Sequence, residues 1–193
     1  GRGAWHPARA MSGIRARACA FALGLGSAAG GCAGDDGPAP MPMSLAEGGG
    51  WERVTDAAED PFAALRPADA VCDPSGFGVD PLTFSFEVRT DVCDYLTVRQ
   101  GSLVALAAGD VITVEAAHGQ LAAAAPSTGT MALALDGEVV WEWTAAIPGE
   151  ADAVKEDVVA PRALPAGAAM HLHVHNHGAN SWELVSLKVT PAR

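Results

Sequence analysis

Basic side chains are scarce in this 193-residue chain: 12 Lys+Arg stand against 23 Asp+Glu, a net charge of −11. A nucleic-acid binder needs a basic face to displace counterions from phosphates, so that class is excluded. Electrostatic docking on an anionic membrane surface is excluded on the same ground. No apolar run reaches the roughly 20 residues that span a bilayer. The nucleophile motif Gly-x-Ser-x-Gly, a phosphate-binding loop and a dinucleotide fingerprint are all missing. With no nucleophile in view, an esterase or glycosidase is the weakest functional expectation, although carboxylate pairs leave no fixed spacing in sequence. The 49% of hydrophobic residues suffice for one domain with a sizeable core, with or without a tail.

Residues 1–10 precede the first methionine, read as an upstream remnant and are set aside from fold reasoning. From Met11 the order is Arg15 and Arg17, then a short apolar stretch from Cys19, then the small residues Ala29-Gly30-Gly31 before Cys32. This is the layout of a cleaved secretory signal over residues 11–31. Ala29-Gly30-Gly31-Cys32 resembles the lipobox of bacterial lipoproteins, with Ala29 standing where that family usually has Leu. The resemblance covers residues 11–32. It implies cleavage just before Cys32, diacylation of the Cys32 thiol and acylation of the new N-terminus. The alternative is an ordinary signal peptide with a stray cysteine. Two or more acyl chains would anchor the protein durably, because one chain alone binds only marginally. In the best-known lipoprotein systems an Asp directly after the cysteine retains the protein in the inner membrane. Here Ala33 follows and Asp35 and Asp36 come later, so the expected address is the cell envelope, outer membrane preferred. Cleavage removes four Arg and no acid and leaves 8 basic and 23 acidic residues, a net charge of −15. Such a chain repels anionic surfaces and attracts divalent cations.

Cys19 leaves with the signal and Cys32 takes the lipid, which leaves Cys72 and Cys93 as an even pair in an oxidising compartment. They are expected to form a disulfide, stabilising the fold by roughly 3 kcal/mol in the chain-entropy model. A two-cysteine metal site is the rival, but neither cysteine has a Cys or His close by in sequence.

Residues 32–50, rich in Pro and Gly, read as a flexible tether. In residues 51–70, Val54, Ala57, Ala58, Phe62 and Leu65 suit one or two helical turns broken by Pro61, an irregular or short helical segment. From residue 71 onward the apolar period becomes two. Leu82, Phe84, Phe86 and Val88 alternate with polar residues. Further short strands are expected at Tyr95, Val111, Met131, Val139, Val154, Met170 and Trp182. Asp136-Gly137 between two alternating runs is a hairpin signal. About eight strands over residues 71–193 predict an all-β sandwich or jelly roll. The closing run from His177 to Leu184 also resembles, in pattern only, the last strands of galactose-binding-like and carbohydrate-binding β-sandwich modules.

The most unusual segment is Met170-His171-Leu172-His173-Val174-His175-Asn176-His177. On a strand, Met170, Leu172 and Val174 face the core and His171, His173, His175 and His177 share the opposite face. Neighbouring histidines of such a row lie roughly 7 Å apart at Cβ, so a pair can reach one ion, while three span about 13 Å, too far for an unbent strand. Closure needs a bend at His177-Gly178 or a further ligand, such as His118 or a loop Asp. Imidazole suits Zn and Cu. The polar face of a half-buried sheet is the plainer reading, and a row that charges at mildly acidic pH is a third. The His-x-His plus Glu pattern of cupins is not met, since Glu183 comes too late. The His-x-His-x-Asp-His pattern of metallo-hydrolases is not met either.

Trp141 and Trp143 share a strand face, where core packing is favoured over a sugar platform. Asn180 and Trp182 are the candidate sugar contacts. Asp69, Asp73, Asp80, Asp91 and Asp94 surround the expected disulfide, and oxygen-rich loops of this kind hold Ca²⁺ in many jelly-roll modules. Without an Asp-x-Asp-x-Asp-Gly loop, solvated turn residues are the favoured reading. The leading functional expectation is a lipid-anchored envelope protein with a non-catalytic β-sandwich binding module, with carbohydrate as the candidate ligand. The alternative is a periplasmic copper or zinc binder using the histidine row.

Overall fold

The computed structural model describes residues 39–193. The expected signal peptide of residues 11–31 and the expected lipidation site Cys32 lie outside the described residues. Among the described residues no helix is long and apolar enough to cross a membrane.

The alternating segments become strands, the first of them only from Phe86. They are β4 (Phe86–Arg89), β5 (Tyr95–Gly101), β6 (Val111–His118), β7 (Ser127–Leu135), β8 (Glu138–Ile147), β9 (Asp152–Val159), β10 (Ala169–His175) and β11 (Ser181–Thr190). Three short strands join them: β1 (Met43–Ser44), β2 (Glu52–Arg53) and β3 (Phe77–Val79). One antiparallel sheet runs β3-β4-β11-β6-β9 with β1 added beside β11, and the other runs β2-β5-β10-β7-β8. The fold is an all-β sandwich of two antiparallel sheets. Phe86, Val88, Ile112, Val114, Trp182, Leu184, Leu187 and Val189 of the first sheet meet Leu96, Val98, Met131, Leu133, Met170, Leu172 and Val174 of the second in one buried core. Alternation along each strand produces this layer, because successive side chains point to opposite faces. The β7–β8 hairpin turns on Asp136 (φ 48°) and Gly137 (φ 82°), as Asp-Gly predicts. Cys72 and Cys93 form a disulfide.

Two expectations change. Residues 43–50 are not tether: Met43 and Ser44 pair with Val189 and Lys188, and Leu45 is fully buried. The first long strand starts at Phe86 rather than Leu82. Asp80 Oδ1 accepts the Leu82 and Thr83 N–H groups (2.6 and 3.0 Å) and closes a turn, which throws Leu82 and Phe84 into solvent. Residues 51–70 contribute β2 and a single 3₁₀ turn, Ala63–Leu65, and no α-helix. Phe62 in this segment packs on Ala132 and Ala134, so the chain lies as a strap over the outer side of the second sheet.

Candidate functional site

The strap changes the histidine row. Met170, Leu172 and Val174 face the core as expected, and His171 and His173 occupy the other side, but that side is covered. His173 is fully buried, stacked on Phe62 (ring centroids 4.5 Å, planes 12° apart) and met edge-on by Tyr95 (4.8 Å). Its Nδ1 lies 3.0 Å from Thr97 Oγ1, and its Nε2 has no partner. Burial outweighs the attraction of Asp60 and pulls its pKa down to about 4. Burial also lowers the pKa of His171 and of His175. Tyr95 donates to Asp60 Oδ2 (2.7 Å), and burial, reinforced by that hydrogen bond, drives its phenol pKa strongly upward. The strap is further held by the Arg99–Glu59 ion pair (2.7 Å). His177 lies beyond the end of β10, in a bend, and is exposed. Among the described residues no three His, Cys, Asp or Glu side chains are grouped to hold a metal ion.

His118 does not approach the row. It sits on the inner face of β6 and stacks on Trp143 (4.7 Å) and against Trp182 (4.9 Å) between the sheets. Trp182 itself is fully buried and Asn180 nearly so. Asn180 Oδ1 accepts the Ala122 N–H (2.6 Å), and Trp182 fills the space left by Gly129. Neither side chain meets solvent, so both act in packing, not as the surface contacts expected of them. Trp141 is core as favoured, with its indole N–H donating to Glu156 (2.6 Å). The acids around the disulfide serve turns. Asp73 accepts from Ser75 N–H (2.8 Å), Asp94 from Val71 N–H (2.8 Å), and Asp91 pairs with Arg89 (3.5 Å). Those backbone donors hold the Asp73 and Asp80 carboxyls below the usual carboxylate range.

The outer face of the β3-β4-β11-β6-β9 sheet is open and differently built. Glu87 and Glu183 stand directly opposite each other on β4 and β11. Each carboxylate is fixed by a serine: Ser181 donates to Glu87 (2.6 Å) and Ser85 to Glu183 (2.8 Å). Thr83 Oγ1 lies 2.7 Å from Ser85 Oγ and extends that chain. Ser186 donates to Glu115 (2.7 Å), whose pKa is lowered by Lys155 first and by Ser186 second. A β-bulge between Leu184 and Ser186 turns Val185 outward, half exposed. Beside it stands Phe84, 75% exposed with φ 59°, the two lining one small groove with Ser186 and Glu47. A non-glycine residue in the left-handed region costs of order 1 kcal/mol. Phe84 recovers little of it by burial. The strand alternation hid this residue, and the signal against a strand was Asp80-Pro81, a turn starter.

The chain matches no protein-family model and no curated protein sequence. Among solved structures, it is similar to an arabinose-bound GH51 α-L-arabinofuranosidase at 11% identity and a TM-score of 0.43, covering 81% of this chain but only 27% of that one. It thus spans about a quarter of that enzyme's length. A CBM4 module is similar at 16% identity and a TM-score of 0.40, covering 62% of this chain and 96% of that one. A CBM61 in complex with β-1,4-galactotriose is similar at 7% identity and a TM-score of 0.40, covering 72% and 100%.

Proposed function

We propose that this protein is exported and lipid-anchored through Cys32, and that its sandwich is a non-catalytic binding module for carbohydrate. The anchor rests on the residue order Arg15, Arg17, the apolar stretch and Ala29-Gly30-Gly31-Cys32. The Cys72–Cys93 disulfide agrees with an oxidising compartment.

One observation carries the binding reading: an aromatic ring is held out in solvent, in a costly backbone conformation, beside hydrogen-bonded carboxylates and hydroxyls on an open sheet face. A sugar ring offers an apolar C–H face and a rim of hydroxyls. Phe84 and Val185 supply the apolar side, and the Glu183 and Glu87 carboxylates accept from hydroxyl donors. Serine partners fix those carboxylates before any ligand arrives, which reduces the ordering cost of binding.

Two experiments test the two halves. Metabolic labelling with an alkyne fatty acid should tag the wild-type chain and not Cys32→Ser, and globomycin should block its processing. A labelled Cys32→Ser variant or globomycin-insensitive maturation would remove the anchor. Titration with soluble oligosaccharides should give saturable binding that Phe84→Ala weakens.

A further inference from the structure

The bend after β10 sets two imidazoles against each other. Within β10 the ring centroids of His173 and His175 are 6.2 Å apart. Across the bend those of His175 and His177 are 5.1 Å apart, with planes at 69°. The bend is a built feature. Asn176, fully buried, donates its side-chain amide to Thr90 Oγ1 (2.6 Å) and its N–H to the Asp94 carbonyl (3.0 Å). Thr90 Oγ1 in turn donates to the Gly178 carbonyl (2.8 Å). Gly178 takes φ 115° where a Cβ would come within 2.1 Å of the Ala122 carbonyl oxygen, so only glycine fits. His175 Nε2 is buried with no hydrogen-bond partner, a state that costs free energy unless something is bound there.

An ion held by two imidazole nitrogens at about 2.0–2.1 Å in a tetrahedral shell places the two ring centroids about 5 Å apart. The observed separation meets that requirement. We propose that His175 and His177 bind one divalent transition-metal ion of borderline softness, Zn²⁺ or Cu²⁺, with water in the remaining positions. The other histidines of the row stay out. His173 stands 6.2 Å from His175 between ring centroids and turns Nδ1 to Thr97 under Phe62. Among the described residues no third His, Cys, Asp or Glu side chain groups with the pair. The site is therefore open on the His177 side, suited to an exchangeable ion rather than a structural one. It is independent of the glycan reading and stands or falls without it.

The test is titration of the full chain, purified in detergent, with Cu²⁺ and with Zn²⁺ at neutral pH. One ion per chain should bind, and the Cu²⁺ complex should show electron-spin couplings from two imidazole nitrogens. His177→Ala, at an exposed position that leaves the core intact, should weaken binding by about tenfold or more and leave one coupled nitrogen. His171→Ala should change affinity by less than about twofold, since it lies outside the pair. Absence of saturable binding would overturn the proposal. So would unchanged affinity or an unchanged spectrum in His177→Ala.

Discussion

Replacing Thr97 by Val should unsettle His173 out of proportion to the single atom exchanged. Both residues are buried, Thr97 at 2% and His173 at 0% exposure, and the 3.0 Å contact between them is the imidazole's side-chain hydrogen bond, with Nε2 left unpartnered. Thr97→Val keeps the shape and the strand preference but takes the side-chain partner from Nδ1 of a ring whose Nε2 already has none, at the centre of the strap contact. The expected cost is about 1–3 kcal/mol, the penalty for a buried group whose partner is removed. His173→Leu alone takes one partner from the Thr97 hydroxyl and loses the stack on Phe62, so it should also destabilise. The double variant removes both polar groups together and should cost less than the sum of the two single losses, although it still lacks the Phe62 stack. The assay is urea unfolding of the three variants and wild type at pH 7. A double-mutant cycle should give a coupling of at least about 1 kcal/mol. Losses that add to within about 0.5 kcal/mol would refute the reasoning, because the two groups would then act independently.

Other consequences follow from the same packing. Gly129→Ala would place a Cβ 2.5 Å from Trp182 Cζ2 and 2.6 Å from Asn176 Oδ1. It should destabilise the fold by about 1–3 kcal/mol through overpacking, read as a lower thermal midpoint. Stability should also fall with acid through His171. Burial holds its folded pKa below the unfolded value, so the contribution of the neutral ring is complete above pH about 6.5 and is lost as pH drops from there through the folded value. Unfolding free energy measured against pH should be flatter below pH about 6.5 in His171→Leu than in wild type, and an identical slope would refute this.

The eight main strands were legible because a strand with one buried side writes a period of two into its residues. Met131, Leu133 and Leu135, or Ile112, Val114 and Ala116, show it plainly. Three strands escaped because β1, β2 and β3 have only two or three residues each, too short to carry a period. Alternation also misled. Leu82 and Phe84 continue the pattern of Phe86 and Val88, but the Asp80 side chain satisfies the backbone locally and wins over strand extension. The strap was hidden for a different reason. Alternation says that His171 and His173 leave the core side, and says nothing of what distant segment lies on the side they reach. Phe62, 111 positions before His173, decides that, and no local pattern joins the two. Trp182 and Asn180 looked like loop contacts because Gly178 and Asn180 read as a turn; in fact β11 begins at Ser181 and carries Trp182 inward at once.

The most direct test of the central claim is calorimetric titration of the protein with soluble oligosaccharides, comparing wild type with Phe84→Ala and Phe84→Gly. The glycine variant removes the ring and also suits the left-handed backbone at φ 59°, so the loop stays in place. Wild type should bind saturably, and both variants should bind about tenfold or more weakly, as loss of about 1.4 kcal/mol of ring contact requires. Wild type that binds no oligosaccharide, or variants that bind as well as wild type, would contradict the claim.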